Sequence, residues 1–265
     1  MDLLLSLWVL GVGLCAFRYM WLLRISEWAR IVQFVPEFIR HRVRKELWYQ
    51  IVRWQTWEGE QLILRRFVSN GDSVVDVGAN AGAFTYALSK LVGDGCVYSF
   101  EPMPETFSFL GNNVRRLGLT NVCCFPCALG AEDGRGELTL FAIPNSKEIE
   151  IGASSLMGSP IHPREKSGSV SVSVNRFDDL GIGCVKFVKI DVEGGEYDVL
   201  RGMERTLVRH SPTLLIEICD PDSPVFGWLS DMGYTCFFLD NNLLVEKRGR
   251  ELSPSPNYFF LKDKR

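Results

Sequence analysis

The chain has 265 residues, of which 46% are hydrophobic and 23% charged, and its formal net charge is -3. That is enough apolar material for one well-cored α/β domain with an appendage, and it excludes a disordered chain or a small disulfide scaffold. Charge is unevenly placed: residues 1–66 hold ten Lys or Arg against six Asp or Glu, so the remainder carries -7 and lacks the cationic track that a nucleic-acid substrate requires.

In chain order, Leu3 to Phe17 is free of charge, and after Arg18 the apolar run resumes to Leu23, giving about 21 residues against a hydrocarbon core of about 30 Å. A membrane anchor is expected over residues 1–24, with Arg18 snorkelling to the headgroups and Trp21 at the interface. Arg24, Arg30, Arg40, Arg42, Arg44 and Lys45 follow, which by the positive-inside rule puts the rest of the chain on the cytoplasmic side. The Met-Asp start lacks the basic region of a cleaved signal peptide. A helix lying in the interface stays open, because Arg18, Gly11 and Gly13 interrupt the span. Residues 25–66 read as a basic, aromatic helical linker, whose Trp28, Trp48, Tyr49 and Trp57 either continue the membrane contact or pack onto the domain. Residues 67–265 form that domain.

A helix carrying Glu58, Gln61, Leu62 and Leu64 leads to Val68, and Asn70-Gly71-Asp72 turns the chain into a strand, Ser73 to Val77. The pattern then predicts a helix over Ala83–Leu91, a strand Val97–Phe100, a helix Glu105–Leu117 stopped by Gly118, and a strand Val122–Cys127. Glu137–Phe141 and Val170–Val174 read as extra strands around a polar loop. Phe187–Ile190, a helix from Glu196, Thr213–Ile216, a helix Pro224–Met232, Tyr234–Leu239 and Tyr258–Leu261 complete a sheet of about seven strands. Strands alternating with helices imply parallel pairing and right-handed crossovers, hence an α/β fold. The eight cysteines lack paired metal-ligand spacing and read as reduced thiols.

Two motifs carry chemistry. Val74-Val75-Asp76-Val77-Gly78-Ala79-Asn80-Ala81-Gly82 is a strand running into a glycine turn, and Glu101 of Phe100-Glu101-Pro102 ends the next strand 25 residues after Asp76. A carboxylate there suits the two hydroxyls of a ribose. The Gly-x-Asn-x-Gly spacing differs from the dinucleotide loop, and Asp76 would repel a diphosphate while attracting the ammonium of a methionine moiety. The pair therefore points to S-adenosyl-L-methionine rather than a nicotinamide dinucleotide, with Asp76, Gly78, Asn80 and Gly82 on the methionine side, Glu101 on the ribose, and Ala128 and Leu129 at the adenine edge. Asp191 and Glu217 end later strands, so the acids converge on one rim of the sheet. Asp191 is the expected general base for a hydroxyl acceptor, with Glu193 and Glu217 sharing the proton or orienting the acceptor. A helix cap is the competing role for Asp191. No metal site is assigned, although these three acids could instead gather magnesium. His162, in the polar loop, is a further base candidate.

Together with Ala128-Leu129-Gly130, Ser154-Ser155-Leu156, Phe177-Asp178-Asp179-Leu180 and Lys189-Ile190-Asp191-Val192-Glu193-Gly194, these motifs resemble the FkbM family of S-adenosylmethionine-dependent methyltransferases from about Trp57 to Leu239. The resemblance implies a class I methyltransferase fold: a Rossmann-like three-layer sandwich around a seven-stranded, mostly parallel sheet. It also implies methyl transfer to an oxygen, commonly a hydroxyl of a sugar or another natural product. With the anchor, the expected partners are a glycan or small-molecule acceptor and the membrane. The alternative is a scaffold that keeps the fold without the activity.

Overall fold

The fold is described from a computed structural model, which covers residues 37–54, 63–141, 166–249 and 255–262. The expected anchor over residues 1–24, most of Glu58 to Leu62, the Ser154-Ser155-Leu156 motif and His162 lie outside the described residues. Among the described residues no helix is long and apolar enough to cross a membrane.

Within the expected linker, α1 (Glu37–Trp54) forms a helix. The chain then alternates through β1 (Ser73–Val77), α2 (Ala83–Val92), β2 (Cys96–Phe100), α3 (Pro104–Arg116) and β3 (Val122–Phe125). Helix α3 shows why such a segment is helical: Pro104 starts it, Glu105 sits in the first turn, and Arg115 and Arg116 occupy the last, each on the favourable side of the macrodipole. Its buried residues Thr106, Phe109, Leu110 and Asn113 repeat at helical spacing and form one face. Helix α1 packs on α3. Arg116 pairs with Glu46 at 2.7 Å, and its guanidinium lies 3.5 Å from the centre of the Tyr49 ring. These ion pairs are part-exposed and contribute little, so buried Tyr49 and Val52 are the stronger hold.

After β3 the chain leaves the main sheet. The expected strand Val122–Cys127 stops at Phe125, and the next strand, β4 (Ala128–Leu129), belongs to a different sheet. Pro126, which has no N–H for the ladder, lies in the break. β4 pairs in parallel with β6 (Lys166–Asn175), which pairs antiparallel with β5 (Gly134–Phe141). This second, three-stranded sheet is where the two extra strands belong.

The chain returns through β7 (Phe187–Ile190), α4 (Glu196–Gly202), α5 (Glu204–His210), β8 (Thr213–Glu217), α6 (Pro224–Asp231), β9 (Thr235–Asp240), β10 (Leu243–Glu246) and β11 (Asn257–Leu261). The main sheet runs β10-β9-β11-β8-β7-β1-β2-β3 and has eight strands, not the expected seven. The five from β8 to β3 are parallel, and the other three are joined on by antiparallel pairing, so β11 and β10 run against the five and β9 runs with them. The additional strand is β10, joined to β9 by Asn241-Asn242, both with positive φ, as a two-residue hairpin turn requires. Since β1 runs outward to β2 and the chain later re-enters beside β1 as β7, the strand order reverses between β1 and β7. In an open parallel sheet a ligand crevice forms outside the strand ends at such a point.

Two apolar cores fill the layers. One holds Val75, Val188, Ile190, Leu200 and Leu229, and the other, on the opposite face, holds Val74, Leu88, Phe187 and Leu215. Family motifs away from the crevice serve this packing. Asp178 accepts hydrogen bonds from the backbone N–H groups of Arg205 and Thr206, capping the start of α5, a helix that periodicity had not disclosed. A Cβ on Gly202 would overlap the carbonyl oxygen of Gly130, so the glycine lets α4 lie against the chain after β4. Gly202→Ala is expected to destabilise the fold by about 1–3 kcal/mol through forced separation of these segments. Urea denaturation would measure it, and an unchanged midpoint would contradict the close approach.

Candidate active site

The first polar feature of the switch point lies below the crevice. Asp76 on β1 stands beside Ser99 on β2 and Lys189 on β7 in the strand registers, and helix α2 sets Thr85 above them. The Thr85 hydroxyl donates to Asp76 Oδ2 at 2.7 Å and meets Ser99 Oγ at 2.9 Å. Lys189 Nζ lies 3.9 Å from Asp76 Oδ1, 2.8 Å from Asp191 Oδ2 and 4.8 Å from the centre of the Phe84 ring. Burial works against the ammonium, but Asp191 and then Asp76 outweigh it and hold the Lys189 pKa above its ordinary value. Asp191 is the main partner, because its contact is more than an ångström shorter. Burial also drives the Asp76 carboxyl up, against the pull of Lys189 and Thr85.

Above this row opens a cavity of about 420 Å³. That is within the range of small-molecule sites, about 300–1,000 Å³. Its floor is the β1 turn, where a Cβ on Gly78 would overlap the carbonyl oxygen of Asp191 and where Asn80 takes a left-handed conformation, φ 51°. Glu101 forms one side. Its Oε2 accepts from the Asn80 backbone N–H and its Oε1 from that of Met103, each at 2.9 Å. Burial, only partly offset by those two N–H groups, pushes the Glu101 pKa to about 7. Beyond it, Met103, Thr106, Ala128, Leu129 and Leu138 line an apolar slot. The opposite side is the chain after β7, with Asp191, Val192 and Glu193, the last at φ 52°.

Asp191 and Glu193 also face a smaller niche shared with Glu196, Glu217 and Cys219. Asp191 and Glu217 face the same niche and act on each other electrostatically. Burial opposes the charge on Asp191, yet the Lys189 ammonium holds its carboxyl below the usual range. Burial and then the neighbouring Asp191 push Glu217 up to about 7. Glu196 accepts from the Gly194 N–H at 2.7 Å and shapes the turn. Among the described residues no group of three or more His, Cys, Asp or Glu is arranged to hold a metal ion.

Of the residues expected at the cofactor, Gly78, Asn80, Glu101, Ala128 and Leu129 line the cavity, as do Asp191 and Glu193 of the expected acceptor acids. Asp76 and Gly82 do not line it, and Glu217 lies in the adjoining niche. For Asp76 the physical reason is strand alternation: it shares a face with Lys189 under α2, so the ammonium it attracts belongs to the chain. A Cβ on Gly82 would instead press on Leu110 of α3. Reading the sequence missed Met103 and Thr106, although they directly follow Phe-Glu-Pro. It also missed Gly136, Leu138 and Val174, which the second sheet contributes without a local signal.

Fold and cavity together define a class I, Rossmann-like methyltransferase. The described region of this chain is matched over residues 76–236 by the family model for the methyltransferase FkbM domain, and the chain belongs to that family of S-adenosylmethionine-dependent methyltransferases. Methyltransferase 1 of Beauveria bassiana (strain ARSEF 2860) is 29% identical over 160 residues, 56% of this chain and 64% of that protein. Hexuronic acid methyltransferase AglP of Haloferax volcanii is 27% identical over 170 residues, 62% of each chain. The chain thus spans less than two thirds of the length of either relative. A crystal structure of methyltransferase FkbM from Methylobacillus flagellatus KT aligns with a TM-score of 0.48 at 16% identity, covering 82% of this chain and 59% of that one.

The cavity suits S-adenosyl-L-methionine: a buried carboxylate pinned by two N–H groups retains lone pairs for ribose hydroxyls, and the apolar slot beside it accepts a flat base. Removing the carboxylate with Glu101→Ala should weaken binding of S-adenosylhomocysteine by about a hundredfold, or ~3 kcal/mol. Because the free carboxyl titrates near 7, it is protonated below that pH and accepts fewer bonds, so affinity should rise as pH increases through 7 and then level off. Calorimetric titration from pH 5.5 to 8.5 checks both, and a flat profile would contradict the role given to Glu101.

Proposed function

We propose that the protein transfers a methyl group from S-adenosyl-L-methionine to a hydroxyl of a sugar, glycolipid or similar small acceptor at a membrane surface. The observation that carries the reaction type is the neighbouring pair of Asp191, in the cavity, and Glu217, in the niche that both line, with their acidities displaced in opposite directions. Such displacement divides acid and base work between two carboxyls. The bound cofactor supplies an electrophilic methyl on a sulfonium, so the chain has to hold an oxygen nucleophile in line and remove its proton.

Asp191 receives the hydroxyl proton at a carboxylate oxygen, being ionised and in the cavity. Kept acidic by Lys189, it holds that proton poorly and passes it across the shared niche to Glu217, whose pKa near 7 retains it. The niche beyond Glu217 is the exit side. Gly78 and Glu101 hold the cofactor's two ends apart from this pair. The name of the AglP relative supports a sugar acceptor, and the apolar run of residues 1–24 supports the membrane surface.

Turnover of methyl-labelled cofactor with fractions of a source-cell extract tests the reading, and label appearing only in protein or nucleic acid would refute it. At saturating cofactor, kcat should rise with pH through about 7, where Glu217 becomes ionised. Asp191→Asn should lower kcat by about 10²–10⁴-fold. Glu217→Gln should abolish the rise near pH 7 while leaving cofactor affinity within about twofold, which separates it from the titration of Glu101. Deleting residues 1–25 should reduce activity on lipid-linked acceptors in vesicles and spare a soluble sugar acceptor. Equal loss on both would count against a membrane role.

A further inference from the structure

Among the described cysteines, Cys96 and Cys123 meet in space although 27 positions separate them in the chain. Cys96 opens β2, and Cys123 lies in β3, the outermost strand on that side of the main sheet. Strand pairing sets Tyr98 beside Cys123, and Cys96 is two positions before Tyr98, so both thiols project from the same face. Their sulfurs stand 3.9 Å apart, with Cys123 exposed and Cys96 part-exposed. Thiols this close either join as a disulfide or share a metal ion. An offset of two residues puts their α-carbons about 8 Å apart, from ~3.3 Å per residue along a strand and ~4.8 Å between strands. A disulfide spans α-carbon separations only up to about 7 Å. Two sulfur ligands of one tetrahedral ion, each ~2.3 Å from the metal, lie about 3.8 Å from each other. The observed separation matches the second arrangement.

We propose that Cys96 and Cys123 form a chelating site for one thiophilic cation of the zinc class, held across the two outermost parallel strands of the main sheet. Among the described residues no group of three or more His, Cys, Asp or Glu is arranged to hold an ion, so water from the open edge completes the coordination. Sulfur donors select such an ion over magnesium or calcium, which take oxygen ligands. Binding forms two sulfur–metal bonds and releases the two thiol protons to water, with no change of oxidation state. The bound ion clamps β2 to β3 near their beginnings. Glu101 and Cys127, which line the cavity, follow the opposite ends of the same strands. The site is therefore separate from the cofactor crevice and does not rest on the reaction proposed above.

The test uses the full chain, reduced and stripped of metal, with zinc as the probe and a chromophoric chelator as competitor. Wild type should bind one zinc per chain through this pair, and at about 100 times Kd it should melt about 5–10 °C higher than the metal-free protein. Cys96→Ser and Cys123→Ser should each bind at least about tenfold more weakly. Cys184→Ser, which removes an exposed thiol elsewhere, should stay within about twofold of wild type. Cobalt(II) in place of zinc should give a sulfur-to-metal absorption band in wild type, and that band should vanish when both cysteines are replaced. Cys123 is exposed, so its replacement leaves the packing intact and keeps the test decisive even if Cys96→Ser does not fold. No zinc bound by wild type, affinity within about twofold in Cys123→Ser, or a Cys96–Cys123 disulfide in the peptide map of the mildly oxidised, folded chain would each overturn the proposal.

Discussion

A buried ammonium organises the crevice. Lys189 sits in a strand whose four residues are all buried, and an uncompensated charge there would be strongly destabilising. Asp191 at 2.8 Å and Asp76 at 3.9 Å compensate it from the strand end and from the neighbouring strand. The same contacts therefore tie the cofactor turn after β1 to the acid after β7. Thr85 and Ser99 continue the row, so α2 and β2 are keyed to it as well. Removing one partner of such a set typically costs about 3–5 kcal/mol, which makes the row a structural constraint before it is a chemical one.

This constraint also sets the chemistry of the rim. Asp191 is ionised because Lys189 is beside it, and Glu217 has a raised pKa in part because Asp191 carries that charge. One buried cation thus separates the acidities of two carboxyls that line the same niche. Glu101, farther along the rim, reaches a comparable pKa chiefly by desolvation, with two backbone N–H groups holding it in place. Carboxyls of one chemical type take different roles according to what surrounds them.

The second sheet closes the site. β4 lies beside the Glu101 end of the cavity because the chain turns away from the main sheet at Pro126, and Leu138 on β5 and Val174 on β6 complete that wall. Close approaches at Gly78 and Gly202 bring the walls together, one at the cofactor turn and one behind β4. The apolar slot follows from that closure.

Much of the framework was legible in the residues. Val74, Val75 and Val77 ending in a glycine turn, and Glu101 ending the next apolar run, are local patterns whose meaning depends on strand ends alone. β7 and β8 were read the same way. β10 escaped because its four residues are short and mostly exposed, although the Asn241-Asn242 turn signalled it. The break between β3 and β4 was signalled by Pro126, but no local pattern says which sheet a strand joins.

What the sequence alone determined is most of the order of elements and the set of acids that end the strands, because periodicity and turn chemistry act between residues close in the chain. Only the tertiary structure decided that Asp76 faces Lys189 instead of the cavity and that Asp191 and Glu217 line one niche. Those outcomes depend on which side chains from distant strands share a face, and on how much water their packing excludes.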